Sequence, residues 1–146
     1  MKLSTRTQYG TLLMINLALE YGKGPVLLKD IARRESISEK YLSQIIIPLK
    51  ASGLVKSFRG PHGGYVLAKP IKTITMKDIV ETLEGTADLI GYEKNAAHVA
   101  LPSVAVSRNL WVGLGVKITQ TLASISLADL VKQCLEKGEN SMMYNI

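Results

Sequence analysis

Three short stretches of the chain carry side chains with chemistry to offer, and what they offer is hydrogen bonding to an anion or a base edge. In SISEKYLSQ, residues 36–44, Ser38 stands where a helix N-cap would stand, and Lys40, Tyr41, Ser43 and Gln44 follow at the N-terminal end of that helix. A glutamine amide can make a paired contact to adenine, while hydroxyl and ammonium groups serve phosphates or bases. In RGPHGG, residues 59–64, Arg59 lies beside glycines that allow close backbone approach, with Gly60 and His62 at the same tip. An arginine so placed can enter a minor groove and read its width. Lys2, Ser4, Thr5 and Arg6 gather further donors near the first helix start, suited to phosphate. Each group also has a purely structural reading: a half-buried helix tyrosine, a solvated turn, a loose terminus. Bond-breaking chemistry is the weakest expectation, because His62 and the single cysteine, Cys134, have no base or orienting partner at motif spacing.

The distribution of charge supports a polyanion as the partner. Residues 1–70 hold eleven Lys and Arg against four Asp and Glu, a net +7, whereas residues 71–146 hold seven against eight, a net −1. All of the excess positive charge in a chain of net +6 thus lies in its N-terminal half. A basic half joined to a neutral, apolar half suggests a polyanion-binding module attached to an assembly module. At 146 residues and 47% hydrophobic, the chain can bury one real core with an appendage. No apolar run near the start is long enough to span a bilayer and no signal-peptide pattern is evident, so no membrane partner and a cytoplasmic location are expected. One cysteine excludes an internal disulfide and suits a reducing compartment.

The elements that must position these side chains can be read from periodicity and caps. A first helix capped by Ser4 or Thr5 ends near Gly22, and a short helix covers residues 28–34. Ser38 caps the next helix, which buries Leu42, Ile45, Ile46 and Leu49, is bent or loosened by Pro48, and ends at Gly53. Residues 54–58 and 65–68 form a β-hairpin around the glycine-rich tip. This order predicts a mainly α fold with one small hairpin, a winged helix-turn-helix over residues 1–85. Thr75 and Asp78 form a capping box for a helix over residues 76–84, followed by a loop over 86–106. Residues 107–146 then supply a long helix with Leu110, Leu114, Ile118 and Leu122 on one stripe, ending at Ile125, and a last helix over 127–137. Outside a wing module that stripe has little of its own chain to pack on, so pairing with a second copy is expected, aided by close-approach glycines Gly113 and Gly115.

MKLSTRTQYG at the start, LKDIARRESISEKYLSQIIIPLKASGLVKSFRGPHGGYVLAKP through the helix-turn-helix and wing, ITMKDIVETLEG after it, and NLW and SLADLV further on resemble the bacterial winged-helix repressors that include IscR, NsrR and CymR. The resemblance spans essentially the whole chain. It implies a homodimeric transcription regulator that binds an imperfect palindrome of double-stranded DNA through paired recognition helices and wings, with the long helix crossing its partner. It also implies regulation of iron–sulfur biogenesis or sulfur-metabolism genes. Ser43 departs from the acidic residue that relatives often carry before the glutamine, so the base sequence does not carry over.

Many of those relatives hold a 2Fe-2S cluster on three loop cysteines. Here residues 94–111, KNAAHVALPSVAVSRNLW, place alanine at the corresponding positions, Ala97 or Ala96, Ala100 and Ala105. Alanine supplies no ligand, so the chain as written is expected to carry no cofactor; a parent with cysteines there would hold the cluster. Either the alanines stand in place of cysteines, or the protein is of a cluster-free kind in which Cys134 or a partner does the sensing. His98 in this loop is expected to be solvated. The alternative of a different class is a winged-helix module that docks a metabolic enzyme, for which steep salt dependence is not required.

Overall fold

The computed structural model describes residues 3–85 and 101–144. Their element order is α1 (Thr5–Leu19), α2 (Leu28–Glu35), α3 (Glu39–Ala51), β1 (Val55–Phe58), β2 (Gly64–Leu67), α4 (Met76–Glu84), α5 (Pro102–Ser124) and α6 (Leu127–Tyr144). The mainly α architecture with a two-stranded hairpin matches the winged helix-turn-helix expected from the sequence.

Local chemistry accounts for the helix boundaries. Ser4 and Ser38 cap α1 and α3 by accepting from the amides of Thr7 and Tyr41. Thr75 and Asp78 close a reciprocal capping box at α4. Between α2 and α3, Ser36 adopts the left-handed conformation (φ 55°, ψ 45°) that turns the chain, one of the few places a non-glycine residue accepts it. Helix α3 continues through Pro48 to Ala51.

The core lies where α1, α2, α3 and α4 meet the base of the hairpin, with Leu13, Met14, Ile31, Leu42, Leu49, Ile74 and Ile79 fully enclosed. Each such side chain contributes about 1.5–3 kcal/mol of burial energy. At Gly10, α1 comes so close to α4 that an added Cβ would overlap Leu83. The one buried side-chain amide among the described residues, Asn16, is satisfied on both ends: it donates to the Leu12 carbonyl (2.9 Å) and to Glu35 (3.0 Å), and accepts from Arg34 (3.0 Å). That network ties α1 to the end of α2.

Three features differ from the sequence expectation. The long helix begins at Pro102, not at residue 107, because proline suits the first turn of a helix, where its missing N–H would have no partner anyway. Ala105 therefore lies within α5 and not in a loop. The last helix runs past residue 137 to Tyr144, and its first residue, Leu127, is part of the winged-helix core. The α5–α6 junction is fastened there by hydrogen bonds from Met76 N–H to the Ile125 carbonyl (2.8 Å) and from Leu127 N–H to the Ile74 carbonyl (2.9 Å). The start of α6 is thus rooted in the core of the N-terminal domain.

Candidate nucleic-acid interface

Helical periodicity sorts α3 into two faces. Leu42, Ile45, Ile46 and Leu49 face the core, which leaves Lys40, Ser43, Gln44 and Ile47 exposed on the opposite side at i, i+3, i+4 and i+7 spacing. The Ser43 hydroxyl donates to the Glu39 carbonyl (2.9 Å), so its oxygen remains available as an acceptor. Neither Lys40 nor Gln44 is held by a salt bridge or side-chain hydrogen bond among the described residues, and both can turn to an incoming ligand. Tyr41 is placed differently: its half-buried ring meets the edge of Tyr9 (centroids 5.5 Å apart, planes at 86°) and packs on the core. Its contribution is to hold the N-terminal end of α3 against α1.

The wing is more than a hairpin. β1 and β2 pair antiparallel with Phe58 opposite Gly64, and Val26, in the connection between α1 and α2, adds a further bridge to Tyr65. Two hydrogen bonds make that bridge, Val26 N–H to Tyr65 carbonyl (2.9 Å) and Tyr65 N–H to Val26 carbonyl (2.8 Å). At the tip, Gly63 N–H donates to the Gly60 carbonyl (3.0 Å), and Arg59, Gly60 and His62 are exposed. Arg59 makes no ion pair among the described residues.

At the start of α1, Thr5 and Arg6 are exposed, whereas Ser4 is already engaged. Its hydroxyl (2.6 Å) and backbone N–H (2.8 Å) both donate to Glu84 Oε1, the same oxygen that receives the Thr7 hydroxyl (2.6 Å). Ser4, expected from the sequence to meet phosphate, anchors α1 to the last residue of α4. Lys2 and the loop positions Ala96, Ala97, His98 and Ala100 lie outside the described residues.

The bonds from Ser4 and Thr7 hold the Glu84 carboxyl below the ordinary glutamate range, the Ser4 hydroxyl contributing most. A carboxylate with a lowered folded-state pKa stabilises the fold above its unfolded-state value and loses that contribution as pH falls through the folded one. Glu84→Gln is accordingly expected to lower the thermal-unfolding midpoint at neutral pH. The gap between variant and wild type should close as pH is taken below the ordinary value of 4.5. A gap that stays constant over that interval would show that the carboxylate charge is not what holds α1 to α4.

Glu84, Val26, Tyr9 and Ile47 are the contributors that sequence reasoning missed. Ile47 alone had a signal, lying three residues beyond Gln44 and seven beyond Lys40, but the run Ile45-Ile46-Ile47 conceals which member faces outward. The other three act through contacts remote in sequence.

Comparison with known proteins gives concordant matches. A family model described as Rrf2, iron-dependent transcriptional regulator, matches residues 3–133. The HTH-type transcriptional regulator CymR of Bacillus subtilis is 38% identical over 144 residues, 99% of each chain. IscR of Cereibacter sphaeroides is 35% identical over 136 residues, covering 90% of this chain and 88% of its own. Among solved structures, that of CymR, the global cysteine regulator of B. subtilis, superposes with a TM-score of 0.80 at 38% identity, covering 91% of this chain and 98% of that one. T. potens IscR superposes with a TM-score of 0.76 at 39% identity, covering 92% and 88%.

Proposed function

The chain belongs to the Rrf2 family of transcriptional regulators, and from that premise we propose that it is a homodimeric, sequence-specific DNA-binding regulator of sulfur-metabolism genes that works without a resident cluster. The observation that carries this reading is the outward face of α3, where Lys40, Ser43 and Gln44 stand exposed at the Ser38-capped end of the helix. That end is the part of a helix-turn-helix that approaches base edges. Gln44 reads adenine, Ser43 accepts from an exocyclic amine, and Arg59 with Gly60 and His62 follows the adjacent minor groove and backbone. Thr5 and Arg6 contact phosphate, and Lys40 does the same from α3. Two copies present two such faces to an imperfect palindrome in the cytoplasm.

The donor chemistry argues against an iron–sulfur cluster, although the family description names iron. Such clusters are held by several thiolates, and the chain has one cysteine, Cys134, half-buried on α6. Ala105, at one of the positions where cluster-binding relatives carry cysteine, lies in α5 and supplies no ligand. The B. subtilis relative, described as a global cysteine regulator, supports a sulfur-metabolism regulon. No described helix is long and apolar enough to cross a membrane, and the relatives are named as regulators and not as enzymes.

Binding to operator and random duplexes, followed across salt concentrations, tests the assignment. Affinity for both is expected to fall steeply with salt. Gln44→Ala and Arg59→Ala should each narrow the preference for operator, at about 1–3 kcal/mol per lost base contact for Gln44. Arg6→Ala should weaken both duplexes equally and reduce the salt slope by about one. Binding that is indifferent to salt would favour a protein partner for the wing module.

A further inference from the structure

We propose that Ile47 is a specificity-determining residue that reads the 5-methyl group of a thymine in each half-site, an inference that rests on α3 being the recognition helix. The α3 aliphatics divide sharply: Leu42, Ile45, Ile46 and Leu49 are at most 3% exposed, and Ile47 is 65% exposed. It does not serve the core. It stands on the same face as Lys40, Ser43 and Gln44, and the exposed Lys50 follows three residues later.

An apolar side chain set between two cationic groups matches a polyanionic groove better than it matches an apolar protein surface, which would leave both ammonium groups to be desolvated. The major groove presents one apolar group at its floor, the thymine methyl. Ile47 lies three residues beyond Gln44, about 4.5 Å along the helix axis, against about 3.4 Å between stacked base pairs. It therefore addresses a base pair next to, or one beyond, the pair that Gln44 addresses. Its branched side chain is stiff in a helix, so little rotamer freedom is lost on contact. The methyl contact complements Gln44: the amide asks for an adenine, and Ile47 asks for a thymine close by.

The test uses the full chain and duplexes that the wild type itself enriches from a randomised pool. Each thymine of the enriched half-site is replaced in turn by deoxyuridine, which pairs identically and lacks only the methyl. At one symmetric position the exchange is expected to weaken wild-type binding about three- to tenfold, the size of one buried methyl. Ile47→Ala should bind the thymine and deoxyuridine duplexes within about twofold of each other. Alanine is a better helix former than isoleucine and the site is exposed, so the variant folds, which its unfolding midpoint verifies. If no thymine-to-deoxyuridine exchange affects the wild type, or if Ile47→Ala keeps the full loss, the inference is overturned while recognition through α3 stands. If the wild type enriches no sequence at all, recognition through α3 falls and the inference falls with it.

Discussion

Replacing Leu114 and Ile118 together by aspartate is expected to yield a monomer by sedimentation and to weaken operator binding on the order of a hundredfold or more. The reason lies in α5, whose 23 residues include none that is buried. A helix of that length extends about 35 Å. It exposes six large apolar side chains, Val106, Leu110, Trp111, Val112, Leu114 and Val116, and apolar surface left uncovered in this quantity marks an interface. Two aspartates at the centre of a paired seam would be desolvated opposite one another. Losing the second half-site then removes the gain that linked binding confers, typically 10²–10⁴-fold. Gly113 sharpens the expectation. A Cβ there meets open space within the single chain, so Gly113→Ala should gain about 1 kcal/mol of helix propensity in an unpaired helix and should cost stability if a partner backbone approaches closely. A double-aspartate variant that sediments as a dimer would place the interface elsewhere.

Gly64→Ala is expected to displace the wing, with a loss of operator affinity comparable to that of Arg59→Ala and a marked loss of thermal stability. Gly64 has φ 144°, outside the range side-chain-bearing residues adopt readily, which costs about 1–3 kcal/mol. An added Cβ would also sit 2.6 Å from the Val26 carbonyl oxygen, against backbone that cannot rotate away. Relief requires parting Val26 from Tyr65 and so sacrifices their two hydrogen bonds, each worth about 0.5–1.5 kcal/mol. Gly60 provides the comparison: it too has positive φ, 105°, but nothing lies within 4 Å of its Cβ position. Gly60→Ala should therefore carry the backbone cost without detaching the wing. If the two substitutions shift stability and DNA affinity equally, the Val26 bridge does not anchor the wing.

Much of this protein is legible in its residues because the deciding forces are local. The serine caps of α1 and α3, the Thr75–Asp78 box and the 3.6-residue burial of α3 each act within a turn or two of helix, so sequence alone predicts those elements and the winged-helix order. The same periodicity leaves Lys40, Ser43 and Gln44 facing outward, and the charge imbalance between the halves needs no coordinates. Tertiary structure decided what depends on partners far along the chain. The Ser4 hydroxyl has equal chemistry for a phosphate and for a carboxylate, and only folding brings Glu84, 80 residues away, within reach of it. Tyr41 could have faced a base or the core until Tyr9 was packed beside it. Val26 joins the wing and Leu127 enters the core through contacts no window of neighbouring residues contains. Local hydrogen bonds and periodicity are short-ranged and repeat with the helix, so they can be read from sequence; which surfaces meet is set by packing over the whole chain, and that appears only in three dimensions.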